Sequence, residues 1–218
     1  MSCSSPCGAR AEARHRRPSV ALLAAALALA AGASLANPPS SAVATVHPIA
    51  SSAAAAPPPA EVLAALPRAR LVGRGTLRFF GLSVYEARLW AAPGFDPARY
   101  DGQPFALELQ YTRKLRGPDI AERSIVEMKR VGSFNATQAK TWQALMTRAF
   151  PDVAAGERLT GVHAGGGQVS FFHNGKATAQ LDDAAFTRLF FGIWLAPQTS
   201  APALRQALIG EAAGRDGG

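Results

Sequence analysis

Cysteine is almost missing from this chain of 218 residues, and the position of its two copies decides what they exclude. Cys3 and Cys7 both precede an apolar run of mostly Ala and Leu from Val20 to Ala33, which Arg14, Arg16 and Arg17 introduce. Positive residues, a short apolar stretch and then small residues (here Ser34-Leu35-Ala36) have the layout of a secretory signal peptide. Residues 1–36 are therefore read as a signal peptide cleaved before Asn37, and the protein as exported, periplasmic or secreted. The alternative is an uncleaved anchor, but the run is shorter than the roughly 20 apolar residues that span a bilayer. After cleavage no cysteine remains, which excludes disulfides, a thiol nucleophile and a cysteine-ligated metal. No cysteine follows the apolar run, which excludes a lipoprotein. A second long apolar run is missing too, so no membrane span is expected in the mature chain. Also missing is a strong excess of one charge. The formal charge is +8, of which Arg10, Arg14, Arg16 and Arg17 against Glu12 supply +3 within residues 1–36. The longest basic cluster, Arg113-Lys114-Leu115-Arg116, is no stripe with interleaved aromatics, so a nucleic-acid partner is not expected.

Beyond the leader the chain is organised as one domain. Residues 37–66 are rich in Ala, Pro and Ser and read as a flexible spacer, because such a segment has too little apolar bulk to offset its ordering entropy. Residues 67–212 read as the folded domain and 213–218 as a disordered tail. Leu71 to Trp90 reads as two strands joined at Gly81. Alternation places Leu77 and Phe79 on one face with Gly73 and Gly75, and Arg74 and Arg78 on the other. Tyr85 falls on a face opposite Glu86 and Arg88. Phe105 to Tyr111 is the clearest strand, with alternate apolar and polar residues. Helices are expected over about 118–131 and from Asn135, which forms a capping box with Gln138, to Pro151. Further strands are expected at 158–164, 168–173 and 176–181, with Asn174-Gly175 as a tight hairpin turn. Asp182 or Asp183 caps a further helix. A last helix carries Pro202 in its first turn and ends before Gly210. Strands in two blocks with helices between and after them give an α+β class, an antiparallel sheet with helices on one face.

Residues that carry chemistry are sparse. His163 and His173 sit about 13 Å apart along the expected hairpin, too far to share a metal, and each reads as a surface or edge residue. Gly165-Gly166-Gly167 lacks the Lys and following helix of a phosphate loop and reads as a turn. Asn135-Ala136-Thr137 matches the glycosylation triplet but coincides with a helix start. No metal site and no cofactor are expected. What remains is an apolar layer with embedded polar groups. Phe79, Leu89, Leu107, Met128, Trp142, Phe190 and Trp194 are either plain core or the walls of a pocket between sheet and helices.

The segments GRGTLRFFGLSVYEARLW, FALELQYTRKLRGPDIAERSIVEMKRVG, FFHNGK and FFGIWLAPQTSAPALRQALIG resemble the chalcone isomerase-like family, in its bacterial secreted branch. The resemblance covers about 71–210. It implies an open-faced β-sandwich, a large antiparallel sheet backed by a layer of helices with a ligand cleft between. In the enzymes of the family an Arg on the first strand, a Thr on the second, and a Tyr and an Asn around the helix serve a ring closure. Non-catalytic relatives hold a fatty-acid carboxylate with an Arg and a Tyr. Here Tyr85 stands at the Thr position, Ile120 at the Tyr position and Glu127 at the Asn position. Ala201 stands at the polar position near the last helix, and Arg74 matches the first-strand Arg across a one-residue gap. Most of the enzymatic set is thus absent. The resemblance implies a non-catalytic protein for a small apolar ligand, fatty-acid-like, with Arg74, Tyr85, Tyr111 and Glu127 as the candidate ligand-binding residues. Glu127 is the awkward member, since a carboxylate repels an anionic head, and pairing with an Arg is its other expected role. Two alternatives stay open: an isomerase or lyase with altered substrate, using Tyr85 or Glu127 as acid or base, and a structural or partner-binding domain with a filled interior. No feature specifies an oligomeric state.

Overall fold

The computed structural model describes residues 57–213, so the readings of residues 1–36, of the spacer up to residue 56 and of residues 214–218 lie outside it. Six strands form a single sheet in sequence order: β1 (Arg70–Phe79), β2 (Leu82–Ala91), β3 (Phe105–Tyr111), β4 (Arg158–Gly165), β5 (Gln168–His173) and β6 (Lys176–Asp182). Every neighbouring pair is antiparallel. Helices α2 (Gly117–Val131), α3 (Ala136–Ala149), α4 (Ala184–Leu195) and α5 (Pro202–Ala213) form a backing layer. The fold is therefore the expected α+β one, an open antiparallel sheet packed against helices.

Local chemistry sets the element ends. Asn135 accepts from the Gln138 N–H while the Gln138 side chain accepts from the Asn135 N–H, which closes the capping box. Asp183, not Asp182, caps α4 through the Phe186 N–H. Asn174 and Gly175 both have positive φ, 49° and 85°, as the tight β5–β6 turn requires. The last helix continues through Gly210 to Ala213 instead of stopping before it.

The face of the sheet turned to the helices carries Ala87, Leu89, Leu107, Leu109, Val169 and Phe171, all buried. On β1 this face carries Gly73 and Gly75, opposite Leu89 and Ala87. A Cβ on Gly73 would lie 2.4 Å from the Ala207 carbonyl oxygen, so the missing side chain lets α5 lie directly on the strand.

The opposite face is partly covered, which corrects the spacer reading. Helix α1 (Ala60–Ala65) forms within residues read as flexible, and its Val62 is fully buried with Leu66, Trp90, Ala106 and Val162 in a second cluster. Glu61 anchors it, bonded to Arg158 at 3.1 Å and to the Thr160 hydroxyl at 3.2 Å. The composition of 37–66 hides this helix because one Val and one Leu supply most of its apolar contact. The same outer face holds Glu108, buried, which accepts from the Trp90 indole at 2.9 Å and from Arg88 at 3.1 Å.

His163 corrects a second expectation. It lies fully buried, not at the surface, in edge contact with Phe105, with Nδ1 2.9 Å from the Gln168 carbonyl and Nε2 3.1 Å from the Asp101 carbonyl. His173 ends β5, an interior strand, half-buried and 3.3 Å from Glu157.

Candidate functional site

The helix layer does not fill all the space above the sheet. A cavity of about 500 Å³ lies between the sheet's inner face and helices α2 and α4. That volume falls in the range of about 300–1,000 Å³ typical of small-molecule sites. Its deep walls are Leu107, Leu109, Phe150, Phe171, Phe190 and Phe191. These aromatics hold each other: Phe171 meets Phe150 and Phe190 edge-on at 5.1 and 5.2 Å between ring centres. Of the seven residues named as possible pocket walls, Phe79, Leu107, Phe190 and Trp194 line the cavity. Leu89, Met128 and Trp142 are instead packed in the core.

Polar groups enter the cavity from two directions. From the sheet come Tyr85 and Tyr111, which face each other across the β2–β3 pair with ring centres 5.7 Å apart. The Tyr85 hydroxyl accepts the Trp194 indole N–H at 2.9 Å, which leaves its own proton free to donate. Burial is the main cause that pushes both phenols well above their ordinary value of 10. Burial likewise raises Tyr100, outside the cavity, to about 12. These are the chain's only three tyrosines. The native protein is therefore expected to show almost no tyrosinate absorbance at pH 10, where an unfolded chain would be about half ionised. The folded pKa values are raised, so the tyrosine contribution to stability is complete below pH 10 and declines as pH rises past it. Urea midpoints at pH 9 and 11 measure that decline, and Tyr85→Phe together with Tyr111→Phe is expected to flatten most of it.

From α2 come Asp119, Arg123, Ser124 and Glu127, with apolar Ile120 between them; Asp119 is 3.7 Å from Arg116. Glu127 is buried and sits between Arg123 and Arg130, the latter at 3.4 Å, so its charge is met by two guanidinium groups. The alternative raised for it, an arginine-paired carboxylate, is thus what the geometry shows. Its Oε1 nevertheless accepts no well-aligned hydrogen bond.

Arg74 does not reach the cavity. It pairs with Arg88 on the outer face of the sheet, exposed. The reason is strand parity, since its neighbours Gly73 and Gly75 take the inner face. An arginine from β1 does line the cavity, and it is Arg78. Simple alternation puts Arg78 on the outer face with Arg74. The register shifts there: Leu77 pairs with Tyr85 but the next residue, Arg78, pairs with Ser83, so the bulged extra residue is Val84 of β2. Such a bulge bends and twists the strand pair locally, and Arg78 lines the cavity beside it. Beyond β3 the pairing with β2 continues through the Thr112 N–H to the Val84 carbonyl at 3.0 Å. Arg113, which also lines the cavity, comes directly after it. Arg78 and Arg113 thus flank Ser83 from its two sides, both exposed at the cavity mouth. Neither forms an ion pair among the described residues. Sequence reasoning missed Arg78, Arg113 and Arg123 as site residues. Only Arg123 leaves a sequence signal, its position one helical turn before Glu127. Ile120 and Ala201, assigned by the resemblance to substituted enzymatic positions, both line the cavity. Among the described residues no His, Cys, Asp and Glu cluster could hold a metal.

No protein-family model matches the chain. A protein of Haemophilus influenzae, described as uncharacterized, is 28% identical over 140 residues, which cover 64% of this chain and 67% of that one. Among solved structures, a fatty-acid binding protein of Arabidopsis thaliana superposes with a TM-score of 0.52 at 14% identity, covering 67% of this chain and 89% of its own. At that identity the likeness shows a shared fold.

Proposed function

We propose that this chain is an exported chalcone isomerase-like protein that carries, without transforming, an apolar molecule with an acidic head, of the fatty-acid type. The observation that carries the reading is the composition of the cavity: a deep part of aliphatic and aromatic side chains, and a mouth with two arginines that form no ion pair among the described residues, the lining acid Asp119 being paired with Arg116. A long acyl chain buries its apolar surface in the deep part. A carboxylate at the mouth receives charge-assisted hydrogen bonds from Arg78 and Arg113, with the Tyr85 and Tyr111 hydroxyls one pleat deeper along the strands. Glu127 does not oppose this, because Arg123 and Arg130 offset its charge. The shared fold with a fatty-acid binding protein of Arabidopsis agrees with the reading.

Proton transfer by Tyr85 or Glu127 finds less support. Burial keeps the Tyr85 phenol protonated far above neutral pH, so it can donate but cannot serve as a base. Glu127 is occupied by its arginines.

Displacement of a fluorescent acyl probe tests the proposal. A long-chain fatty acid is expected to compete more tightly than its methyl ester. In Arg78→Ala/Arg113→Ala the acid is expected to lose at least tenfold, since each hydrogen bond from a charged group contributes about 1.5–3 kcal/mol. The ester is expected to change little. Equal losses for acid and ester would contradict a head group held at the mouth.

A further inference from the structure

The β1–β2 turn is built against ordinary turn chemistry. Phe79 pairs with Leu82, and the two residues between them, Phe80 and Gly81, have φ of 48° and 78°. Such turns favour Asn, Asp or Gly at both centres, because a side chain strains at positive φ. The β5–β6 turn follows the rule with Asn174-Gly175 at nearly the same angles. Here the strained position carries a phenylalanine that is 90% exposed and so gains almost no burial for the strain it bears. Its neighbours Phe79 and Leu82 are 58% and 57% exposed. Three of the five large apolar side chains exposed among the described residues sit on this one tip.

The tip has a basic collar. Arg78 adjoins it in β1, and the pairing of Thr112 with Val84 brings Arg113, the first residue of a basic cluster that continues with Lys114 and Arg116, toward it. The acid nearest in sequence to that cluster is Asp119, 3.7 Å from Arg116. The tip is also continuous with the mouth, because Phe79 lines the cavity.

We propose that the β1–β2 tip is a docking element for an anionic lipid bilayer. Phe79, Phe80 and Leu82 enter the headgroup–acyl boundary and the collar lies against the anionic headgroups. The charge of the collar favours this surface over a neutral one. Docking in this way turns the cavity mouth toward the bilayer, so an acyl molecule passes between membrane and cavity without crossing water. That last step rests on the carrier reading above; the docking itself does not.

Vesicle co-sedimentation of the purified protein with its Phe80→Ser/Leu82→Ser variant tests the proposal. Neither residue lines the cavity, and any contribution from the apolar run at residues 20–33 is the same in both proteins. Partition onto phosphatidylglycerol vesicles is expected to exceed that onto phosphatidylcholine at least tenfold, to weaken with salt, and to fall at least tenfold in the variant. Affinity for a free fatty acid is expected to be unchanged by the substitutions. Equal partition of the two proteins, or no preference for anionic lipid, overturns the docking element. So does a dimer that the substitutions dissolve while vesicle binding stays the same, since the tip would then meet a second copy. If neither protein binds fatty acid but the variant still leaves the vesicles, the carrier reading fails and the docking element stands.

Discussion

Gly117→Ala is expected to destabilise the protein by about 3 kcal/mol or more, the upper part of the range for overpacked interiors. The reason is steric. A Cβ at Gly117 would lie 1.9 Å from the Phe150 carbonyl oxygen and 2.9 Å from the carbonyl carbons of Phe150 and Pro151. Those atoms are backbone, so no rotamer change relieves the overlap. The start of α2 is also fixed to the segment that follows α3 by the Gly117 N–H, which donates to Asp152 at 3.0 Å, and by the bridge between Leu115 and Val153. Displacing it shifts Ile120, Arg123, Ser124 and Glu127 together, and with them one wall of the cavity. Ligand affinity is therefore expected to fall along with the urea midpoint. Pro118→Ala, next to it and exposed, is expected to leave the affinity intact.

Ser124→Phe is expected to separate stability from binding. Ser124 lines the cavity from α2, and its hydroxyl bonds only the Ile120 carbonyl of its own helix, at 2.8 Å. A phenyl group there projects into empty apolar space and gains contacts that the wall lacks. Stability is expected to hold or rise, while affinity for an acyl chain is expected to fall a hundredfold or more as the volume is taken up. Thermal unfolding and probe displacement on one sample check both halves. A stable variant that binds as tightly as the parent would place the ligand elsewhere.

How far the sequence carries depends on how local each signal is. Asn174-Gly175, the Asn135–Gln138 box and the alternation of Phe105 to Tyr111 are short-range patterns, and each marks its element correctly. The resemblance points to Tyr85, Ile120, Glu127 and Ala201, all of which line the cavity. What fails is long-range or irregular. The bulge at Val84 leaves no mark in the alternation, and the sequence points to Arg74 where Arg78 lines the cavity. Helix α1 owes its order to Trp90, Ala106 and Val162, none of them near it in sequence. His163 is buried by the Asp101 segment and Phe191, contacts that its own strand does not announce. The volume of the cavity is the least legible property, because the same aromatic residues describe a filled core equally well.

A crystal structure of the protein bound to a fatty acid brominated at its methyl end addresses the central claim most directly. Anomalous signal from bromine is expected among Phe150, Phe171 and Phe190, with the carboxylate between Arg78 and Arg113. Bromine at the mouth, or a cavity closed over by its own side chains with no chain inside, would contradict the account.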